Sequence, residues 1–440
     1  MIGASVRSHT GPSASSDRRR SVISVGVALV SIIVAWAWGR WLQAGGTRLF
    51  TGLPPLTGVW DPSLTWHAVP ALLLGTVAVL RGPALARRLS WRGVLWSAAV
   101  AALAWSASLA FTEGIRGFVD PPAAPTDYLA SVGSISDLHG FLGGFVDSIG
   151  SYSTHVRAHP PGMVLLVWAM GRAGLSGSGW VALLEHSAAA IAVPAVLLSV
   201  REVADDAVAR RAAPFLILLP AASAVTSGDA LFLGVSAWAV AAVVLATSGG
   251  SRLRSDLLAV AGGLAFGAGL LLSYGLVLVA VVPVAVAVAR RRPRPLLVAL
   301  IGAAVMLGAA ALVGFDWFAG LAATRREYAL SIARYRPYGY FLFANLAAVA
   351  IVLGPAVWAA LPRLRDRRLW LLVGSGVAAV LVADVSGLSK AEVERIWLPF
   401  MPWVALATGA AFASEGEERG WLAAQVGWAI VLELAVVWPW

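Results

Sequence analysis

A carboxylate and an imidazole bracket one polar stretch of this chain. Asp120 to Gly162 reads DPPAAPTDYLASVGSISDLHGFLGGFVDSIGSYSTHVRAHPPG, with Asp127-Tyr128-Leu129 near its start and His159-Pro160-Pro161 at its end. Three more polar elements interrupt apolar sequence downstream: Thr226-Ser227-Gly228-Asp229-Ala230-Leu231-Phe232, Arg334-Tyr335-Arg336-Pro337-Tyr338, and Lys390-Ala391-Glu392-Val393-Glu394-Arg395-Ile396-Trp397. A carboxylate within reach of a hydroxyl can take its proton while the oxygen attacks. Guanidinium and ammonium groups can stabilise the oxyanion that leaves. Asp127 is the first candidate base. Asp61, in Val59-Trp60-Asp61-Pro62, is its rival, with capping of a turn before Pro62 as the plainer role. Asp229 suits binding of hydroxyls better than proton abstraction.

The candidate cations are Lys390 and Arg395, then Arg334 and Arg336, with Arg325 and Arg326 nearby; contact with ordinary lipid headgroups is their plainer role. Arg395 leads, because Glu394 beside it is expected to orient the guanidinium. His139, His155 and His159 with Asp137 are chemically suited to zinc or manganese. Their spacing follows no compact ligand motif, so they are read as hydrogen-bonding groups. No metal or cofactor is required on this reading, although a divalent cation is compatible with it. The sequence has no cysteine, which removes thiolate nucleophiles and thiolate ligands.

The elements that must position these residues are membrane helices. Of 440 residues, 59% are hydrophobic and 13% charged, against about 25% charged in soluble proteins. Apolar runs near the roughly 20 residues that cross a bilayer recur throughout, which implies an all-α polytopic bundle of about 11 to 13 spans. Residues 1–21 read as a cytoplasmic polar tail and 22–440 as one membrane domain. The net charge of +10 comes from arginine clusters between apolar segments, which fits positive-inside topology better than nucleic acid. On that topology, residues 113–160, 314–340 and 384–395 form three extracytoplasmic loops, and the last span runs about Trp421 to Trp438. Leu129, Val132, Ile135, Leu138, Phe141, Phe145, Ile149 and Tyr152 recur at helical spacing, so the polar stretch is expected to hold an amphipathic interfacial helix, with a break at Gly143 and Gly144. Between Pro161 and Arg211 the charges require an odd number of crossings, yet two apolar stretches are present. Either the first is re-entrant or Arg201 to Arg211 lies outside. Glu185 and His186, inside the second stretch, are left out of the site.

The motifs together resemble the GT-C superfamily of membrane glycosyltransferases, including the bacterial aminoarabinose transferases and protein O-mannosyltransferases. Asp127-Tyr128 and His159-Pro160-Pro161 bound a long first loop, Asp229-Ala230-Leu231 resembles a recurring element at an extracytoplasmic helix start, and Glu394-Arg395-Ile396-Trp397 is similar to an element of actinobacterial polytopic glycosyltransferases. The chain departs from that pattern where Asp127 is followed by Tyr128 rather than by another acid. The resemblance implies a GT-C-like architecture and a polyprenyl-phosphate sugar donor. It implies Asp127 as general base, with Tyr128, Asp137, His139, His155, His159 and Asp229 contacting substrate. Lys390, Arg395, Arg334, Arg336 and Glu394 are then expected at the donor phosphate. The sugar is expected to be a pentose, methylthioxylose among the candidates, and the acceptor a lipoglycan or other cell-wall glycan. The expected place is the plasma membrane, with membrane lipids as neighbours and the site extracytoplasmic. The rival reading is a transporter or flippase of lipid-linked glycans. The absence of an inverted internal repeat counts against it.

Overall fold

The computed structural model describes residues 14–440, so residues 1–13 of the expected polar tail lie outside the described residues. The main helices, in chain order, are α1 (Ala14–Ala44), α2 (Val69–Arg88), α3 (Trp91–Ala110), α4 (Gly162–Arg172), α5 (Ser178–Val203), α6 (Asp206–Ile217), α7 (Gly228–Ala246), α8 (Arg252–Leu272), α9 (Arg294–Leu312), α10 (Tyr338–Leu353), α11 (Arg367–Val385) and α12 (Glu415–Ala435). Among the described residues, eight helices are long and apolar enough to cross a membrane. A ninth span results if Tyr338–Leu353 and Pro355–Arg363, bent by 98°, are taken as one. Three shorter apolar helices, Gly162–Arg172, Tyr274–Ala289 and Leu398–Ala410, make up the rest of the apolar sequence together with α12. The chain is an all-α polytopic bundle.

The helices start where their sequences supply a cap. Ser90, Asp205, Ser251, Asp366 and Ser414 each accept a hydrogen bond from a first-turn N–H, which satisfies donors left free by helix geometry. The middle of the bundle is α5 and α7, whose most apolar windows are 72% and 78% buried, whereas α1 is 17% buried and lies at the rim. Small residues allow this packing. A Cβ on Gly234 of α7 would sit 2.6 Å from the Ala188 carbonyl oxygen of α5, and one on Gly263 of α8 would collide with the Ala299 carbonyl of α9. Close backbone approach of this kind gives membrane helices their dispersion contact.

One end of the bundle gathers arginines. Arg87 pairs with Glu415 and Glu418, Arg201 with Asp206, Arg290 with Glu202, Arg368 with Asp205, and Arg363 with Glu417. Arg210 donates to the carbonyls of Ala86 and Leu89, so Arg201 to Arg211 shares this end with the other clusters. The odd crossing is therefore resolved by α4. Its Gly162 packs against Leu271 at the far end of α8, and Gly179, at the start of α5, faces Val119, which immediately precedes the polar stretch. With 11 residues rising about 1.5 Å each, α4 reaches about half the roughly 30 Å hydrocarbon thickness. It starts and finishes at the same end, and α5 alone crosses.

The opposite end collects the long connections. The polar stretch is a series of short helices at Tyr128–Ser134, Leu138–Gly144, Ile149–Ser151 and Thr154–Ala158. The apolar spacing is real, and one break does fall at Gly144. Four pieces replace a single amphipathic helix because Phe141, Phe145 and Tyr152 fold inward onto one another and onto Phe315. The last helix begins at Glu415, earlier than the expected Trp421, and stops at Ala435. There the chain turns extended, and Val436–Val437 pairs antiparallel with Val59–Trp60 as a two-stranded ribbon.

Candidate active site

Asp127 caps the helix Tyr128–Ser134, and its Oδ1 accepts from the Tyr128 N–H at 2.6 Å. Its Oδ2 lies 2.9 Å from His155 Nδ1. The other imidazole nitrogen, Nε2, lies 3.1 Å from an Arg395 guanidinium nitrogen. A guanidinium only donates, so His155 Nε2 accepts and the ring proton sits on Nδ1, directed at Asp127. Each Asp127 oxygen therefore keeps a lone pair, and the carboxylate is only 4% exposed.

Arg395 organises the rest. Its fork donates to Asp229 Oδ2 at 2.7 Å and to Glu392 Oε2 at 2.7 Å, while the guanidinium lies 5.3 Å from the Trp440 ring centre. Burial disfavours its charge, but Asp229 and Glu392 outweigh that and hold its pKa above the ordinary value. Burial raises Glu392 while Arg395 and Arg336 pull it lower, with a net fall. Asp229 is positioned by the first turn of α7, and Arg395 by the single turn Val393–Ile396.

Glu394 does not orient Arg395, contrary to the expectation from adjacency. Residues three apart share a helix face and neighbours in sequence do not, so Glu392 makes the contact. Glu394 points the other way, accepts from the Thr57 N–H at 2.8 Å, and has its pKa raised by burial. Glu392 and Ala391 both adopt left-handed backbone (φ 61° and 71°), held by Thr57 Oγ1 and Asn345 Oδ1, which accept from their N–H groups. The pattern Glu-x-x-Arg was the available signal for Glu392.

Tyr128 and His159 close the buried side. His159 Nδ1 lies 2.9 Å from the His155 carbonyl and 3.1 Å from the Tyr128 hydroxyl, so it carries the proton and donates. Burial lowers the His159 pKa to about 4 and raises that of Tyr128 well above its usual value. Glu185 and His186 lie beneath this group. Glu185 is fully buried, and His186 bridges Ser106 and Thr226.

The cations fall at different depths. Arg336 is buried and donates to the carbonyls of Leu49, Phe50 and Lys390. Lys390 Nζ donates to the Arg336 carbonyl at 3.0 Å, and burial followed by the Arg336 charge lowers its pKa. Arg334, Arg325 and Arg326 are exposed, Arg334 lying over Tyr335. Asp137 caps Leu138–Gly144 by accepting from Gly140, and both it and His139 are exposed, apart from the Asp127 group. Asp61 is exposed beside the ribbon, its N–H donating to Ala435. Among the described residues, no group of three His, Cys, Asp or Glu is placed to hold a metal ion.

A polytopic helical membrane protein with a buried carboxylate–imidazole–guanidinium chain at one end is the class that fold and site define. No family model matches the chain, and no curated protein matches it. ArnT from Cupriavidus metallidurans is a similar solved structure, in its apo state (17% identity, TM-score 0.41, covering 62% of this chain and 54% of that one) and bound to undecaprenyl phosphate (15%, 0.41, 64% and 57%). The Archaeoglobus fulgidus oligosaccharyltransferase in complex with Zn and sulfate is another (18%, 0.37, 79% and 52%). The chain spans about half the length of these proteins.

Proposed function

We propose that the protein is an integral membrane glycosyltransferase of GT-C type, with Asp127 as general base and a polyprenyl-phosphate sugar as donor. The observation that carries this reading is the buried chain Asp127–His155–Arg395–Asp229. It holds a carboxylate with free lone pairs, and Glu392, which pairs with Arg395, also lies 3.6 Å from Arg336, whose carbonyl accepts from Lys390 Nζ. One Asp127 oxygen takes the proton of an acceptor hydroxyl as that oxygen attacks the anomeric carbon. The bond from the anomeric carbon to the phosphate oxygen breaks, its electron pair leaves on the phosphate, and the configuration inverts.

Lys390 and Arg334 supply the positive charge that stabilises the departing phosphate, and Arg336, whose fork is held by the carbonyls of Leu49, Phe50 and Lys390, adds its charge nearby without a direct bond to it. The Arg395 fork is already taken by Asp229, Glu392 and His155, so it acts as a positioning residue that fixes the His155 tautomer and, through it, Asp127. Tyr128 and His159 wall the site on this reading, and Asp137 and His139, exposed and apart from the Asp127 group, remain proposed only as contacts for an extended acceptor. On this reading no cofactor is required, and a divalent cation is compatible with it.

The arginine-rich end is read as cytoplasmic under the positive-inside rule, which puts the site outside the plasma membrane. The acceptor is proposed as a lipoglycan or cell-wall glycan. The sugar is proposed as a pentose, and the Glu394-Arg395-Ile396-Trp397 element suggests the actinobacterial methylthioxylose transferase as the specific counterpart. Mass spectrometry of envelope lipoglycans from cells with and without the protein tests this. The expected result is loss of one sugar residue, restored by the wild type and not by Asp127→Asn. Full restoration by Asp127→Asn refutes the assignment of the base. Transport of lipid-linked glycan in sealed vesicles with no new glycosidic bond refutes the transferase reading.

A further inference from the structure

The helix Trp317–Leu330 contributes no group to the Asp127–Arg395 chain, yet one side of it is bonded to both segments that meet there. Asp316 starts the helix by accepting from the N–H groups of Phe318 and Ala319. Thr324 Oγ1 donates to the Arg157 carbonyl at 3.1 Å, and Glu327, the helix's one acid, lies 3.7 Å from the Arg157 guanidinium. Arg157 belongs to the helix Thr154–Ala158, which carries His155. Tyr328 Oη accepts from the Lys390 N–H at 3.1 Å and donates to the Gly387 carbonyl at 3.3 Å, which ties the helix to the chain leading into the Arg395 turn. A single helix therefore sets the spacing of two segments that join at the His155–Arg395 contact.

The same attachments fix how the helix lies. The Trp317 indole N–H donates to the Leu270 carbonyl, near the end of α8, and Gly387 stands just beyond the end of α11. Both ends of a helix about 20 Å long are thus held at the outer ends of spans, so it runs along that end of the bundle instead of standing away from it. Thr324, Glu327 and Tyr328 share the inner face. The opposite face carries Phe318, Ala322, Arg325, Arg326 and Leu330, all exposed, with Phe318 at 72% and Leu330 at 68%. That face continues the lipid-facing surface of α9, whose Leu312, shortly before Phe318, is 87% exposed. Apolar side chains flanking arginines, on a helix lying along the membrane boundary, are the composition of a helix that sits among headgroups. With the one acid turned inward to Arg157, the outer face is purely cationic and selects anionic headgroups over zwitterionic ones.

We propose that Arg325 and Arg326 dock this face on anionic phospholipid headgroups, and that docking holds the helix where Thr324 and Tyr328 keep the His155 and Lys390 segments in register. The effect on transfer rests on the glycosyltransferase reading, whereas docking is testable without transfer. The chain has no cysteine, so Ala322→Cys, on the same face, takes a single fluorescent label. The labelled full-length protein is reconstituted in phosphatidylcholine vesicles that contain either brominated phosphatidylglycerol or brominated phosphatidylcholine as quencher.

The expected result is quenching that favours phosphatidylglycerol by about fivefold per arginine, weakens at high salt, and loses its preference in Arg325→Gln/Arg326→Gln, both exposed positions. Equal quenching by the two lipids overturns the anionic selectivity. Quenching by neither places the face in water or against another macromolecule and overturns docking. Transfer by the unlabelled protein is expected to run at least threefold faster with phosphatidylglycerol than in phosphatidylcholine alone. That gain is expected to vanish in Arg325→Gln/Arg326→Gln and in Thr324→Val/Tyr328→Phe, the second pair keeping the lipid-selective quenching. A rate indifferent to phosphatidylglycerol overturns the link to the site. A wild type that performs no transfer in either vesicle overturns the glycosyltransferase reading instead and leaves the docking result standing.

Discussion

Replacing Arg395 by lysine keeps the charge and removes the fork, so it separates geometry from electrostatics. The guanidinium makes three bonds at 2.7, 2.7 and 3.1 Å, to Asp229, Glu392 and His155, with side-chain exposure of 6% against 3% for Asp229. Removing one partner of a buried pair outright costs about 3–5 kcal/mol, because the other charge is stranded. An ammonium group avoids most of that by remaining with Asp229. It loses the bonds to Glu392 and His155, and bonds to charged groups contribute about 1.5–3 kcal/mol each. Partial recovery by repacking leaves an expected loss of about 2–3 kcal/mol in unfolding free energy. With the donor to Nε2 gone, His155 is free to change tautomer and Asp127 loses its fixed N–H. If the same energy falls on the transition state, the rate drops about 30- to 150-fold. Unfolding in detergent and transfer from a lipid-linked donor measure the two effects, and Arg395→Met with Asp229→Asn completes a double-mutant cycle. Arg395→Lys within about 0.5 kcal/mol of wild type, with unchanged transfer, would refute the claim that the fork organises the site.

Glu392→Gln removes the charge that pairs with Arg395 and is expected to cut transfer at least tenfold, as loss of a charge-assisted bond implies. Glu394→Gln leaves the Thr57 N–H an acceptor and is expected to stay within about threefold, so a transfer assay on the pair distinguishes the two acids. His159 is held near pKa 4 against 6.5 when unfolded. Between those values the unfolded chain binds the extra proton, so stability is full above 6.5 and falls as pH drops through that window to about 4. A difference of about 2.5 units corresponds to about 3 kcal/mol, and His159→Gln is expected to flatten this part of the pH profile of unfolding. Gly234→Val places a branched side chain against the Ala188 carbonyl and is expected to destabilise the protein by about 1–3 kcal/mol by overpacking, read from the same unfolding measurement.

Composition and arginine spacing made the helical bundle legible, since both follow from the bilayer as solvent. The arginine end was legible too, and it resolved the crossing count once α4 was seen to be too short to span. The polar stretch was half legible. The spacing of four between Phe141, Phe145 and Ile149 identified an apolar face, but whether that face lies on lipid or on Phe315 depends on a partner 170 residues downstream (145 to 315). Glu392 was missed for a local reason. Adjacency in sequence points to Glu394, and only the turn at Val393–Ile396 brings i and i+3 together. Trp440 carried no sequence signal, because its place beside Arg395 is set by pairing of Val436–Val437 with a strand from the other end of the chain.

The two ends of the bundle use arginine for different purposes, and exposure separates them. At the arginine-rich end the side chains of Arg87, Arg201 and Arg368 are 37%, 44% and 58% exposed. Exposed pairs contribute little to stability, so what those residues supply is charge near one face of the membrane, with Arg363 at 5% the buried exception. At the other end Arg395 and Arg336 are buried, and every contact they make fixes a loop: Arg395 joins the polar stretch to α7, and Arg336 joins Leu49, Phe50 and Lys390. A loop at that end would otherwise be free to leave its neighbours, since its backbone can hydrogen-bond to water. Burying a guanidinium among loops from four parts of the chain makes departure of any one of them strand a charge. The cost of desolvating Arg395 is thus converted into a fixed distance between Asp127 and Asp229, which a site dependent on proton transfer requires.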